Sequence, residues 1–300
     1  MRRDFVEIRA YCKINLALDI LRLREDGYHE VEMILQTIPL WDTVTLRRTA
    51  GSEWRKPVTI TSNAQWLPQD EKNTAYRAAY LLARDFCRVD TGTEIHIDKK
   101  VPRCGGLGGS SADAAAVLKG MNQLYNLGLS DETLLWYAAQ IGSDVPFLLR
   151  SGAAVATGTG TELRYIEPFR DGILLLVNPN IDICTPEAYR VYDFLEARGE
   201  IPPGAHPDIL ETVRSMQQSI EKLSEKMKNV LEYPAFYLHP ELAELKASLL
   251  ERGASAALMS GSGATFFGFF RKGEAQAAQR AAEFFREKGY FTFVSGELTM

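Results

Sequence analysis

The first hundred residues carry the short-period mix of apolar and polar positions that belongs to strands. Val6 to Cys12, Ile14 to Leu21, Glu30 to Ile38, Thr43 to Arg48 and Val58 to Thr61 each read as one. Asp26-Gly27 falls between two of these runs and predicts a hairpin, because an Asp-Gly pair suits a type I′ turn. The period then lengthens. Ala75, Ala79, Leu82 and Phe86 share one face of a helix over 73–86, with Asn73 as its N-cap. A strand-like Thr93–Asp98 precedes a glycine-rich loop, and helices are predicted over 111–125 and 130–141, the second opened by Ser130-Asp-Glu-Thr.

Beyond about residue 165 the pattern changes. Ile173-Leu-Leu-Leu-Val177 is a short buried strand that Asn178-Pro-Asn180 terminates. Helices follow over 186–196, 207–231, 240–252 and 274–288, with strands at 256–259, 265–270 and 290–294. Residues 198–206, rich in proline and glycine, read as a loop. Strands and helices mix without strict alternation, which defines an α+β class. In the predicted 207–231 helix, Ile209, Val213, Met216, Ile220, Leu223, Met227 and Val230 form a stripe at alternating spacings of four and three. It suits a dimer seam or, the reading we favour, an amphipathic helix lying on its own domain.

Length and composition narrow the class. A chain of 300 residues has room for two domains, here divided as 1–165 and 166–300, and 46% hydrophobic with 24% charged residues is ordinary for a soluble globular protein. A net charge of −5 argues against broad nucleic-acid binding. The four cysteines are scattered, with no C-x-x-C pair, so neither a disulfide framework nor a zinc site is expected. The amino terminus has charge but no apolar run of signal length, and no segment is long enough to span a membrane. A cytoplasmic protein with no membrane partner, monomeric or weakly dimeric, is the expectation.

Chemistry concentrates in Val101-Pro-Arg-Cys-Gly-Gly-Leu-Gly-Gly-Ser-Ser-Ala-Asp113. Glycines admit a left-handed backbone and leave no Cβ to obstruct a ligand, so their N–H groups can converge on an anion at the start of the following helix. Taken alone, such a loop also serves as a tight strand-to-helix connection. It is not a Walker A loop, since the first lysine after it is Lys119, inside the helix. It lacks the third glycine of a dinucleotide fingerprint. Three further clusters stand out, each with a structural alternative. Lys13 interrupts apolar strand neighbours, where a lysine can snorkel to the strand edge. Asp144, in Ile141-Gly-Ser-Asp-Val-Pro-Phe, either bears function or N-caps a helix ahead of Pro146. Ser260-Gly-Ser-Gly263 is a second glycine turn, which hairpin geometry alone could explain.

The order of these motifs resembles the GHMP small-molecule kinases: an N-terminal lysine strand, a Pro-x-x-x-Gly-Leu-x-x-Ser-Ser loop and a C-terminal glycine-rich turn. Lys13-Ile-Asn15-Leu, Asp26-Gly-Tyr-His29, Gly142-Ser-Asp-Val-Pro146-Phe and Met259-Ser-Gly-Ser-Gly-Ala-Thr265 carry a narrower match to one branch. The resemblance implies a two-domain fold, its N-terminal part like ribosomal protein S5 domain 2 and its C-terminal part ferredoxin-like. It implies ATP as phosphoryl donor with Mg²⁺, an alcohol as acceptor, and an ATP site of Asn73, Pro102, Gly105, Gly106, Leu107, Gly108, Gly109, Ser110 and Ser111. Asp144 would be the general base with Lys13 beside it, and Asn15 a substrate contact. Tyr28, His29 and Tyr189 would hold a cytosine ring, which implies a cytidine diphosphate-linked methylerythritol, phosphorylated on its 2-hydroxyl for isoprenoid precursor synthesis. The metal ligands stay unassigned. In this chain Ser110 stands where the family loop usually has glycine and Ala112 where it has its second serine, leaving Ser111 and Asp113 aligned with the first serine and the acidic position. Another kinase of the superfamily, with no need for Tyr28 and His29, and an inactive nucleotide binder are the alternatives.

Overall fold

A computed structural model of the chain describes residues 4–50, 58–87 and 91–297; the first three residues of the charged amino terminus lie outside them. Its elements are β1 (Phe5–Leu23), β2 (His29–Ala50), β3 (Val58–Ser62), α1 (Thr74–Phe86), β4 (Thr91–Asp98), α2 (Gly109–Tyr125), α3 (Asp131–Ile141) and α4 (Val145–Arg150). They continue with β5 (Ala153–Thr157), β6 (Glu162–Ile166), β7 (Ile173–Asn178), α5 (Thr185–Ala197), α6 (Ile209–Met216), α7 (Ile220–Ser224) and α8 (Glu232–Leu238). The last are α9 (Glu241–Glu251), β8 (Ala256–Met259), β9 (Phe266–Phe270), α10 (Ala275–Glu287) and β10 (Phe291–Glu297).

Two compact units share these elements, with segments that alternate along the chain. The first comprises residues 1–12, 40–101 and 108–151. There the second half of β2 pairs antiparallel with β4, from Thr43 opposite Asp98 onward, and β3 runs parallel to β4. Helices α1, α3 and α4 pack on α2. Small side chains let them approach closely: α1 buries Ala75, Ala78 and Ala79, and α2 buries Ala112 and Ala114 to Ala116. At Gly120 of α2 a Cβ would lie 2.4 Å from Leu46 Cδ1, so the helix meets the sheet where only glycine fits. Asn73 and Ser130 cap α1 and α3 through their side chains, as the sequence predicts.

The second unit comprises residues 13–39, 102–107 and 152–300. In it the first half of β2 pairs with β5, and β5 with β6, both antiparallel. A separate antiparallel sheet has the order β10-β7-β9-β8, which is the 4-1-3-2 order of a ferredoxin-like domain, with α9 and α10 packed on it. Strands β7 and β9 are buried at every position, matching their unbroken apolar runs. Gln36, buried on β2, donates from Nε2 to the Phe169 carbonyl at 2.8 Å and accepts the Phe169 N–H at Oε1 at 2.8 Å. One side chain thus satisfies a buried peptide on both sides.

Several expectations change. The four N-terminal strand predictions merge into two long strands, because Lys13 lies inside β1 and the apolar pattern runs on through Pro39 in β2. The Asp26-Gly27 hairpin forms, but only Gly27 is left-handed (φ 80°). Gly27 N–H donates to Arg24 O and Arg24 N–H to Tyr28 O, which makes a three-residue loop with a bulge and not a type I′ turn. The 207–231 helix is broken at Gln217-Gln218. Ser219 adopts an extended backbone (φ −160°) and caps α7 by accepting from Lys222 N. The apolar stripe is still buried at Ile209, Met216, Ile220, Leu223, Met227 and Val230, but no continuous helix exists to form a dimer seam. Strands β5 and β6 and helix α8 were not anticipated. Among the described residues no helix is long and apolar enough to cross a membrane.

The Gln36 clamp yields a stability prediction. Gln36→Leu keeps the volume but strands a buried donor and a buried acceptor, at a cost of about 1–3 kcal/mol for each group left unpaired. Urea unfolding should show a loss of about 3 kcal/mol; a change below 0.5 kcal/mol would mean that Phe169 finds other partners.

Candidate active site

The glycine-rich loop is built from backbone that only its sequence permits. Cys104, Gly106 and Gly108 take left-handed conformations (φ 47°, 69° and 68°). Alternating handedness of this kind turns successive N–H groups to one concave side. Pro102 leads into the loop, half-buried. At Gly105 a Cβ would lie 2.5 Å from Thr265 Oγ1 and 3.0 Å from Asn178 Nδ2, and those two side chains hydrogen-bond each other at 2.8 Å. At Gly106 a Cβ would lie 1.9 Å from the Ser260 carbonyl oxygen. These positions require glycine for close approach as well as for φ.

Gly106 is also where the N-terminal strand and the C-terminal turn converge. Its carbonyl accepts Lys13 Nζ at 3.0 Å and Ser260 Oγ at 2.9 Å, and the Lys13 N–H donates to the Leu107 carbonyl at 2.9 Å. Lys13 is therefore buried and pointed inward, not snorkelled to a strand edge. Its ammonium also donates to Asn15 Oδ1 at 2.7 Å, while Asn15 Nδ2 reaches Met33 Sδ at 3.2 Å. Asn15 is fully buried, with its side chain engaged by these two neighbours. The Ser260–Gly263 turn joins β8 to β9 as hairpin geometry requires, with Ser260 N–H donating to Thr265 O. It is held from behind by Asn229, whose Nδ2 donates to the Met259 and Gly261 carbonyls at 2.9 and 2.8 Å. Asn229 is itself fixed by a parallel bridge to Leu18 of β1.

In the first unit the loop continues into α2. Gly108 is its N-cap and Gly109 its first residue, with Ala112 N–H donating to Gly108 O. Ser110 is exposed, its carbonyl taking the Thr74 hydroxyl at 2.7 Å, and Ser111 is half-buried. Asn73 spends its side chain on structure, accepting from Ala75 N and donating to Pro68 O. Beneath this helix start lies a buried charge cluster that sequence reading missed. Lys99 Nζ bridges Asp42 Oδ2 at 2.5 Å and Asp113 Oδ2 at 2.7 Å. Asp42 also accepts the N–H groups of Lys100 and Val101. Burial pushes the Asp113 carboxyl up to about 7, against the pull of Lys99, and its Oδ1 has no hydrogen-bond partner among the described residues. Asp144 stands at the N-cap position of α4, with Pro146 in the first turn, but its half-buried side chain makes no capping bond. The helix-start alternative therefore holds for the position of Asp144, without a side-chain cap.

A third group sits in the second unit. His29 opens β2 and Tyr189 lies on α5; their rings are 4.8 Å apart and tilted by 40°. His29 Nε2 is 2.8 Å from Asp193 Oδ1, one turn further along α5. Tyr28 is 67% exposed, its ring projecting into solvent. Of the residues singled out from the sequence, the structure sets Lys13 against the glycine loop and brings His29 and Tyr189 together. Sequence reading missed the supports Asn178, Thr265, Ser260, Asn229 and Asp193 as individual residues, although the motif Met259–Thr265 contained two of them.

Comparison with known proteins agrees with this geometry. The model of the GHMP kinases N terminal domain matches residues 73–161, and that of the GHMP kinases C terminal matches residues 209–288. A protein of Bacillus subtilis (strain 168), 4-diphosphocytidyl-2-C-methyl-D-erythritol kinase, is 42% identical over 87% of this chain and 86% of its own length. One of the same name from Clostridium tetani is 40% identical over 88% of this chain and 91% of its own. A crystal structure of 4-(cytidine 5′-diphospho)-2C-methyl-D-erythritol kinase superposes with a TM-score of 0.77 at 29% identity, covering 96% of this chain and 98% of that one. A homoserine kinase from Cytophaga hutchinsonii shares the fold at a TM-score of 0.73 and 20% identity, over 99% of this chain and 96% of its own. The chain belongs to the GHMP kinases and, within them, to the 4-diphosphocytidyl-2-C-methyl-D-erythritol kinase family.

The buried cluster makes a pH prediction. Folding raises the Asp113 value, so the native state binds the proton more tightly than the unfolded chain. Its stabilising contribution is complete below the unfolded value near 4 and is lost as pH rises through about 7. Stability attributable to Asp113 should fall by up to about 1.4 kcal/mol per pH unit across that window. Asp113→Asn should gain on the parent protein between pH 5 and pH 8 in denaturant titrations. Parallel curves for the two would contradict the assignment.

Proposed function

We propose that this chain transfers the γ-phosphoryl group of ATP to the 2-hydroxyl of 4-diphosphocytidyl-2-C-methyl-D-erythritol, a step towards isoprenoid precursors by the non-mevalonate route. The observation that carries the reading is the glycine loop clamped at Gly106 by Lys13 and Ser260, in a chain that spans most of the length of relatives named for this reaction. The His29–Tyr189 pair supports the cytidyl group as the feature recognised.

Phosphoryl transfer passes through a loose transition state, so positioning and charge neutralisation dominate. Backbone N–H groups from Gly105 to Ser111 cradle the β- and γ-phosphates, with the positive end of α2 behind them. The substrate hydroxyl oxygen bonds to the γ-phosphorus, the bond from that phosphorus to the β–γ bridging oxygen breaks, and ADP leaves. Asp144 receives the hydroxyl proton, and Lys13 offsets negative charge developing on the reacting oxygens. Asp113 is committed to Lys99, which leaves the Ser110 and Ser111 hydroxyls as oxygen donors at the helix start. They suit Mg²⁺, which takes few protein ligands when phosphates and waters fill its shell. Bound there, Mg²⁺ would neutralise phosphate charge. Tyr28 and Tyr189 stack on the cytosine ring, and His29 meets its edge.

Three measurements test this reading. ADP release should require the cytidyl substrate when it is offered beside mevalonate, homoserine and galactose; turnover of another of these alone would discard the cytidine site. Asp144→Asn should lower kcat roughly 10²–10⁴-fold with ATP binding intact, and a near-normal kcat would refute the base assignment. Tyr28→Ala should raise the KM for the cytidyl substrate about tenfold, within the 1–3 kcal/mol of base–aromatic stacking, and leave that for ATP unchanged. An equal effect on both would count against stacking.

A further inference from the structure

We propose that Asp193 is a positioning residue for His29, fixing the tautomer and plane of the imidazole that meets the substrate base. The inference rests on the cytidyl reading of this site. A carboxylate only accepts hydrogen bonds, so at 2.8 Å from Asp193 Oδ1 the His29 Nε2 must carry a proton. In the neutral ring that leaves Nδ1 as a lone-pair acceptor, and among the described residues Nδ1 makes no hydrogen bond. The cytosine edge presents an exocyclic amino donor where uracil presents a carbonyl acceptor. An imidazole held with Nδ1 unprotonated accepts from that amino group, and the opposite tautomer cannot.

The geometry favours this role over an incidental surface pair. The His29 side chain is 11% exposed, so its ring is held on most sides, and Tyr189 packs against it at 4.8 Å. Tyr189 and Asp193 lie four residues apart on α5, hence on one face. The same helix therefore supplies both the ring that packs on His29 and the carboxylate that orients it. Asp193 is 43% exposed and carries no core packing, so its removal leaves the fold in place.

The test uses the full-length protein and Asp193→Ala. With ¹⁵N-labelled histidine, the resonances of His29, one of four histidines and assigned with a His29→Asn variant, report which ring nitrogen is protonated. The parent protein should show the Nε2–H form alone, and Asp193→Ala a mixture of tautomers. In steady-state kinetics the variant should raise the KM for the cytidyl substrate about tenfold, the scale of one lost charge-assisted hydrogen bond, with kcat and the KM for ATP unchanged. An unaltered tautomer, or an altered one with an unaltered KM, overturns the role of Asp193 and leaves the function standing. Failure of the parent protein to turn over the cytidyl substrate overturns both.

Discussion

A single carbonyl organises the candidate site. The oxygen of Gly106 accepts hydrogen bonds from Lys13 on the N-terminal strand and from Ser260 on the β8–β9 turn. No side chain fits at Gly106, because a Cβ would fall 1.9 Å from the Ser260 carbonyl. A buried ammonium needs partners, and Lys13 finds them in the Gly106 carbonyl and Asn15 Oδ1. The lysine is thus held in the protein by the same loop that we propose cradles phosphate. Loop shape and cation placement are one constraint, and Asn229 extends it by bracing the turn through the Met259 and Gly261 carbonyls.

The start of α2 has a second layer of support. Lys99 is shared by two buried carboxylates, Asp42 and Asp113, and Asp42 also takes two backbone N–H groups from the segment entering the loop. The cluster fixes the end of β4 against the first turns of the helix. It leaves one carboxylate short of a partner, which is why burial dominates at Asp113. Gly109 sits directly over this cluster, where a Cβ would be 3.1 Å from Val101 Cγ1 and 3.5 Å from Lys99 Nζ. The loop glycines therefore answer to packing beneath as well as to any ligand above.

Much of this was legible in the sequence wherever the physics is local. The Asn73 and Ser130 caps, the α1 face at Ala75, Ala79 and Leu82, and the glycine loop depend on residues within a turn or two of each other and were found, whereas Phe86, expected on that face, is 43% exposed at the helix end. The 207–231 stripe misled because its spacing is kept by two short helices that bury the same side. Strands β5 and β6 escaped because Ala153-Ala-Val-Ala156 is buried throughout and has no alternation to detect. The partners of the site were hidden for another reason. Ser260 lies 154 residues from Gly106, and Asp193 lies 164 from His29, so nothing in the local pattern announces either contact. Lys13 was visible as an oddity, but its inward placement depends on the Gly106 carbonyl, 93 residues away.

The measurement that bears most directly on this account is the affinity of Gly106→Ala for a non-hydrolysable ATP analogue, titrated calorimetrically beside a thermal melt. The added methyl must displace the Ser260 turn and with it the carbonyl that holds Lys13. The account predicts a cooperative melt at lowered temperature and at least a tenfold loss of nucleotide affinity, about 1.4 kcal/mol. A variant that melts cooperatively and binds the analogue as tightly as the parent would show that the Gly106 clamp does not set the nucleotide loop.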